Sequence, residues 1–176
     1  MTYKYSFKEY SKDHMARAAL VSANLSLKHA VEVCNEIRNK KLSKAKSILE
    51  EVILKKKPIP FKRFNQEIAH RKKIGPGRYP IKTAKQILKL LEEVEANAQY
   101  SGLNTSQLKI IHISAKKASR PPHYGRIRGI FMKRATVEVV VKEVAETKHE
   151  KKKTKGKTEN KEVKRVKTQK SKNDEK

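Results

Sequence analysis

Residues 119–129 read Ser119-Arg-Pro-Pro-His-Tyr-Gly-Arg-Ile-Arg-Gly129, a run whose chemistry is recognition rather than bond-making. Its guanidinium groups can fork onto phosphate oxygens, His123 and Tyr124 can stack on bases, and the glycines let a backbone approach closely. Ile127, Ile130, Phe131 and Met132 would be wasted apolar surface on a freely solvated loop. The run lies inside residues 96–137, 42 consecutive positions without one Asp or Glu in a chain that holds 18 of them. Lys109, Lys116, Lys117, Arg120, Arg126, Arg128, Lys133 and Arg134 have no counter-charge there. Such a stretch suits a structured arm that meets a polyanion.

A second basic segment runs from Lys55 to Lys82, with Phe61-Lys-Arg-Phe64, Arg71-Lys-Lys73 and Gly75-Pro-Gly-Arg-Tyr79 around a single acid, Glu67. Gly75-Pro-Gly77 lacks the GK[ST] ending and the preceding strand of a phosphate-cradling loop, so no nucleotide cofactor is expected. The six histidines have no HExxH or other close ligand spacing, and Cys34 is alone, which excludes an internal disulfide and a cysteine-cluster zinc site. Acids in the body cluster at Glu50-Glu51 and Glu92-Glu93-Val-Glu95, where solvated helix faces are the ordinary explanation. Nothing organises an active site, and no enzyme, metal or cofactor is expected.

The totals agree with a polyanionic partner. Forty-four Lys and Arg give a formal charge of +26, enough self-repulsion to call for a dense anion. Nucleic acid is that partner by default. A membrane is disfavoured, since no run of about 18 apolar residues and no signal-peptide core occurs, which favours the cytoplasm. Residues 146–176 hold 13 cations, 6 acids and only Val163 and Val166 as aliphatics, a composition that cannot bury a core and is expected to be disordered as a basic tail. Residues 1–145 suit one domain, still with 31 Lys and Arg against 12 acids.

The elements that position these residues follow from periodicity. Tyr3, Tyr5, Phe7 and Tyr10 and the run from Ala16 to Ala23 predict an extended segment or edge strand. Ser26 is a candidate cap for a helix with Leu27, Ala30, Val31, Cys34 and Ile37 inward, and Ser43 for a second with Ala45, Ile48, Leu49, Val52 and Ile53 inward. The second ends before Lys55-Lys-Lys-Pro58. Residues 55–80 read as a long loop, suspicious unless functional. Pro80 suits the first turn of a helix whose inward set is Ile81, Ala84, Ile87, Leu88, Leu91, Val94 and Ala98, with Ser101-Gly102 as its stop. Lys82, Lys85 and Lys89 early and Glu92, Glu93 and Glu95 late oppose its dipole, which is tolerable where the lysine end touches RNA.

Two strands follow, one with Ile111, Ile113 and Ala115 on one side, the other with Val137, Val139 and Val141. They are expected to pair antiparallel as a long hairpin, residues 108–144. With both limbs extended, nine residues at roughly 3.3 Å each project well beyond the sheet. The fold class is therefore α+β: helices on a small antiparallel sheet, with an overlong β-hairpin and a disordered basic C-terminal tail.

This order, together with Ile37-Arg-Asn-Lys-Lys-Leu-Ser-Lys-Ala45, Pro60-Phe-Lys-Arg-Phe-Asn65, Gly77-Arg-Tyr-Pro80 and Glu95-Ala-Asn-Ala98, resembles the universal large-subunit ribosomal protein twenty-two family, in its archaeal and eukaryotic branch. The resemblance covers roughly residues 1–145; the tail matches no family motif. It implies a structural constituent of the large subunit, in the cytoplasm, seated on ribosomal RNA near the polypeptide exit with its hairpin lining the nascent-chain tunnel. Neighbouring ribosomal proteins and the nascent polypeptide would be further partners. Residues expected to bind RNA are Lys62, Arg63, Arg71, Lys72, Lys73, Arg78, Lys82, Lys85, Lys116, Lys117, Arg126, Arg128, Lys133 and Arg134. Arg120, Pro121, Pro122, His123, Tyr124, Gly125 and Arg126 would face the tunnel. The alternative reading is a free chromatin or nucleoid-type DNA binder.

Overall fold

A computed structural model describes residues 3–144; the tail from 146 onward lies outside the described residues. In chain order the elements are β1 (Met15–Ala23), α1 (Leu27–Ile37), α2 (Leu42–Ile53), β2 (Ile59–Pro60), β3 (His70–Arg71), β4 (Gly75–Arg78), α3 (Ile81–Tyr100), β5 (Leu108–Lys117) and β6 (Ala135–Glu143). The principal sheet has the order β1-β6-β5 and is antiparallel throughout. The helices close one face: α3 packs on β1 and β6, α1 on β5, and α2 on α3. The α+β expectation holds.

Helical period sets which side chains enter the core. In α3, Ala84, Ile87, Leu91, Val94 and Ala98 are fully buried as the spacing predicts, and Leu90 joins them. In α1 the buried apolar set is Ala30, Val33, Cys34 and Ile37, so Val33 takes the inward place expected of Val31. Ser26 occupies the N-cap of α1 but gives no side-chain hydrogen bond. Ser43 is not a cap. With Leu42 buried, α2 starts two residues earlier, with Lys41 at the N-cap. Pro80 likewise stands just before α3, as its N-cap.

The C-terminus of α3 is a two-bond stop. Gly102 N–H donates to the Gln99 carbonyl at 3.0 Å and Leu103 N–H to the Ala98 carbonyl at 3.0 Å. The turn needs Gly102 at φ +73°, a backbone that side chains with a Cβ adopt only at a cost.

Strict alternation fails in β5. The pairing shifts between Ile110 and His112, a bulge that leaves Ile111 without a partner on β6. Leu108 and Ile110 face inward before it, Ile113 after it, and Ile111 is only half-buried, which corrects the expected inward set. On β6, Val137, Val139 and Val141 are buried as expected, but so are Thr136, Glu138 and Val140 on the opposite face.

Residues 3–14 cover that second face. The Glu138 carboxylate accepts from Tyr3 Oη at 2.9 Å, the Ser6 amide at 3.3 Å, the Ser6 hydroxyl, Ser114 Oγ at 2.9 Å and Lys116 Nζ at 3.1 Å, and it meets His112 Nε2 at 3.1 Å. Burial alone would push this carboxyl up; the hydrogen bonds outweigh it and hold the pKa at about 2. The Arg17 guanidinium lies 4.5 Å from the Tyr5 ring and 4.2 Å from the Tyr10 ring, securing the rest of the strap to β1.

The long loop expected over residues 55–80 is a second, small antiparallel sheet of order β2-β4-β3. Strands of two to four residues are too short to print a period on the sequence. A Cβ at Gly77 would stand 3.4 Å from the Ile59 carbonyl oxygen and 3.3 Å from Arg71 Cγ, so glycine lets β4 nest between its neighbours.

Candidate nucleic-acid interface

Two basic segments remote in sequence meet at the first turn of α1. Leu25 is buried just before that turn and anchors it. With no acid in the turn and no side-chain cap, the positive end of the helix dipole is not offset locally. Lys28 Nζ lies 5.7 Å from the Phe64 ring centre, and the His29 ring meets Phe61 edge-on at 5.6 Å. These contacts hold the connection after α2 against α1. One turn on, buried Glu32 accepts the Arg63 amide at 2.9 Å, fixing the backbone there while the Arg63 side chain stays exposed.

Two hollows result, sharing Lys28. The first encloses about 300 Å³ between Leu25, Ser26, Leu27 and Lys28 on one side and the arm-root residues Lys117, Arg120, Lys133 and Arg134 on the other. The second, about 400 Å³, lies among Lys28, His29, Phe61, Arg63, Phe64, Gln66, Glu67 and Arg78. Burial lowers the His29 pKa, and the charges of Arg78 and Lys133 lower it further, so the ring favours its neutral form beside both basic segments.

The sequence-expected RNA residues divide accordingly. Lys117, Lys133 and Arg134 line the first hollow, Arg63 and Arg78 the second, and Lys62 is exposed beside Arg63. The Arg71 guanidinium sits 5.5 Å from the Tyr79 ring centre. Lys72, Lys73, Lys82 and Lys85 are exposed but line neither hollow. Lys116 Nζ lies 3.1 Å from the Glu138 carboxylate, with which it shares its charge although its side chain is partly exposed. Sequence reasoning does not find Lys28 and His29, which belong to no basic run; the available signal is a lysine in a first turn without acids.

Beyond Lys117 and Ala135 the hairpin continues as an irregular arm. Ala118 N–H reaches the Arg134 carbonyl at 3.4 Å, Met132 N–H donates to Pro121 at 2.9 Å and His123 N–H to Ile130 at 2.9 Å, with Pro122 bridged to Phe131. Arg120 Nε donates to the Met132 carbonyl at 3.4 Å. The end is a short helical turn, Gly125–Ile127, with Arg126 and Arg128 exposed. Tyr124 is 84% exposed and Ile127, Ile130 and Phe131 are each more than half exposed. Among the described residues, no His, Cys, Asp or Glu cluster is fit to hold a metal, and no helix is long and apolar enough to cross a membrane.

Residues 18–142 match the model of the family described as ribosomal protein L22p/L17e. The large ribosomal subunit protein uL22 of Picrophilus torridus is 43% identical over 147 residues, 81% of this chain and 97% of the relative. Proteins of the same name from Thermoplasma volcanium and Archaeoglobus fulgidus are 43% and 41% identical, covering 74% and 77% of this chain and 92% and 93% of their own lengths.

Proposed function

The chain belongs to the ribosomal protein L22p/L17e family, whose members are structural components of the ribosome and not enzymes, and from that premise we propose that it binds large-subunit ribosomal RNA near the polypeptide exit and lines the nascent-chain tunnel with its arm. Its place is thus the large subunit, in the cytoplasm. Residues 1–145 form the RNA-binding domain, and 146–176 serve as an electrostatic tether.

The observation that carries this reading is the convergence of arm root and basic connection on Lys28, where Glu67 is the single acid among the residues of both hollows. Phosphates of several RNA segments meeting there would neutralise Lys117, Lys133, Arg134, Arg63 and Arg78 together. Lys62, Arg71, Lys72, Lys73, Lys82 and Lys85 extend the same surface, and Arg126 and Arg128 serve the far end of the arm. Pro121 to Arg126 would face the tunnel, while Arg120, expected there too, stands at the arm root. Inside such a channel the exposed apolar groups of the arm would gain cover. Neighbouring ribosomal proteins and the passing nascent chain are the remaining partners.

Sucrose-gradient sedimentation of cell extract tests the assignment. Full-length chain is expected in the large-subunit peak, and a photo-crosslinker replacing Tyr124 is expected to tag a stalled nascent chain. Absence from the peak, with tight duplex DNA binding by the free protein, would establish the chromatin-type alternative. Crosslinks from Tyr124 to RNA alone would refute tunnel lining.

A further inference from the structure

We propose that the hollow at the root of the arm holds one unstacked nucleotide of the RNA, its phosphate held by Lys28, Lys133, Arg120 and Arg134 and its base resting on the half-buried Leu27, with Leu25 buried behind it. This deepens the RNA-binding reading and rests on it. Three observations carry it.

The first is composition. A surface that only cradles a backbone needs cations, yet this hollow has leucines on one wall and five basic side chains around them, with no acid among its residues. Leu27 is left half-buried in the first turn of α1, presenting a dry surface where a charged partner must come. A nucleotide is the ligand whose two ends match: an anion and an apolar, planar ring.

The second is size. About 300 Å³ lies at the lower end of the ~300–1,000 Å³ typical of small-ligand pockets, and is roomier than a lone phosphate requires. The third is the contrast in charge with the adjoining hollow, whose rings of His29, Phe61 and Phe64 share their space with the Glu67 carboxylate, whereas the first hollow has no acid to oppose a phosphate. Lys28 belongs to both, so a strand can pass its backbone across the second hollow while one base turns into the first.

The arms of the test separate base from phosphate. Leucine-methyl NMR of the full chain is followed during titration with adenosine 5′-monophosphate, ribose 5-phosphate and a Glu-Glu dipeptide. The nucleotide is expected to shift the Leu25 and Leu27 methyls saturably and to bind about tenfold more tightly than ribose 5-phosphate, the effect of one buried base. Leu27→Ser should remove that advantage and leave ribose 5-phosphate binding unchanged, whereas Lys133→Ala, at an exposed position, should weaken both. Equal affinity for the two phosphates would reduce the site to a general anion site and overturn the proposal. Equal methyl shifts from the dipeptide would reassign it to an acidic peptide. A chain that sediments with large subunits yet shows no saturable methyl shift would overturn the nucleotide pocket and leave the ribosomal reading standing; failure of both sedimentation and titration would remove the two together.

Discussion

Replacing Glu138 should separate the value of its charge from the value of its hydrogen bonds. Oε2 faces groups that include an obligate donor, the Ser6 amide, along with Tyr3 Oη and Lys116 Nζ. Oε1 faces Ser114 Oγ, the Ser6 hydroxyl and His112, each of which can turn round and accept. Glutamine can therefore place its oxygen toward the first set and its NH₂ toward the second. It loses only the charge assistance, and Lys116, whose side chain is 42% exposed, can swing to water. The expected cost of Glu138→Gln is about 1 kcal/mol, and that of Glu138→Leu, which leaves the Ser6 amide and Tyr3 hydroxyl without an acceptor beneath the strap, about 3 kcal/mol. With a urea slope of about 1–3 kcal/mol/M, the leucine variant should unfold about 1–3 M earlier than wild type and the glutamine variant about a third as far, read by far-UV circular dichroism. Trypsin should cut faster after Lys4, Lys8 and Lys12 in the leucine variant. The carboxyl is held at about 2 in the folded chain against an ordinary 4.5, so its contribution is complete above pH 4.5 and is lost as pH falls toward 2. The gap between wild type and glutamine should close across that interval. Equal midpoints for glutamine and leucine at pH 7, or a gap that does not change with acid, would refute this account.

Cys34 offers a simple check of the core: burial pushes its thiol up to about 12, so a thiol reagent at pH 8 should label it only in denaturant. Labelling of native chain within minutes would show that α1 does not seal it. Gly102→Ala should lower the melting temperature by about 3 °C, roughly 1 kcal/mol, because the cost is a positive φ alone; a Cβ there meets nothing within 4 Å. No change in melting temperature would remove the proposed role of the α3 stop.

The sequence reveals best those elements whose period is long and uninterrupted. Ala84 to Ala98 announces α3, and the valines of β6 announce a strand, because burial repeats at fixed spacing there. Ile111 misleads because one extra residue reverses every later side chain, and a bulge leaves no mark in composition. The second sheet is hidden for a different reason: its strands are held by backbone pairing and the closeness that Gly77 permits. The basic residues of the arm and connection are legible as charge. Their meeting at Lys28 is not, since it depends on α1 bringing positions 28 and 133 to one hollow. Glu32 and Glu138 are invisible as buried acids because burial of a carboxylate is decided by donors far along the chain, the Arg63 amide in one case and Tyr3 and Ser6 in the other.

The central place of β6 also dictates an order of events in time. Besides β5, its neighbour in the hairpin, its partners are β1, more than a hundred residues earlier, and the strap that reaches Glu138 across 135 positions from Tyr3. Pairing across so long a loop makes for slow folding. As the chain leaves the ribosome that makes it, β1 and the strap emerge first and wait for a strand completed only at Glu143. Throughout that wait the aromatic residues at the start lack the strand face they cover in the folded chain. The topology thus leaves the amino-terminal aromatic residues uncovered until almost all of the folded part has been made.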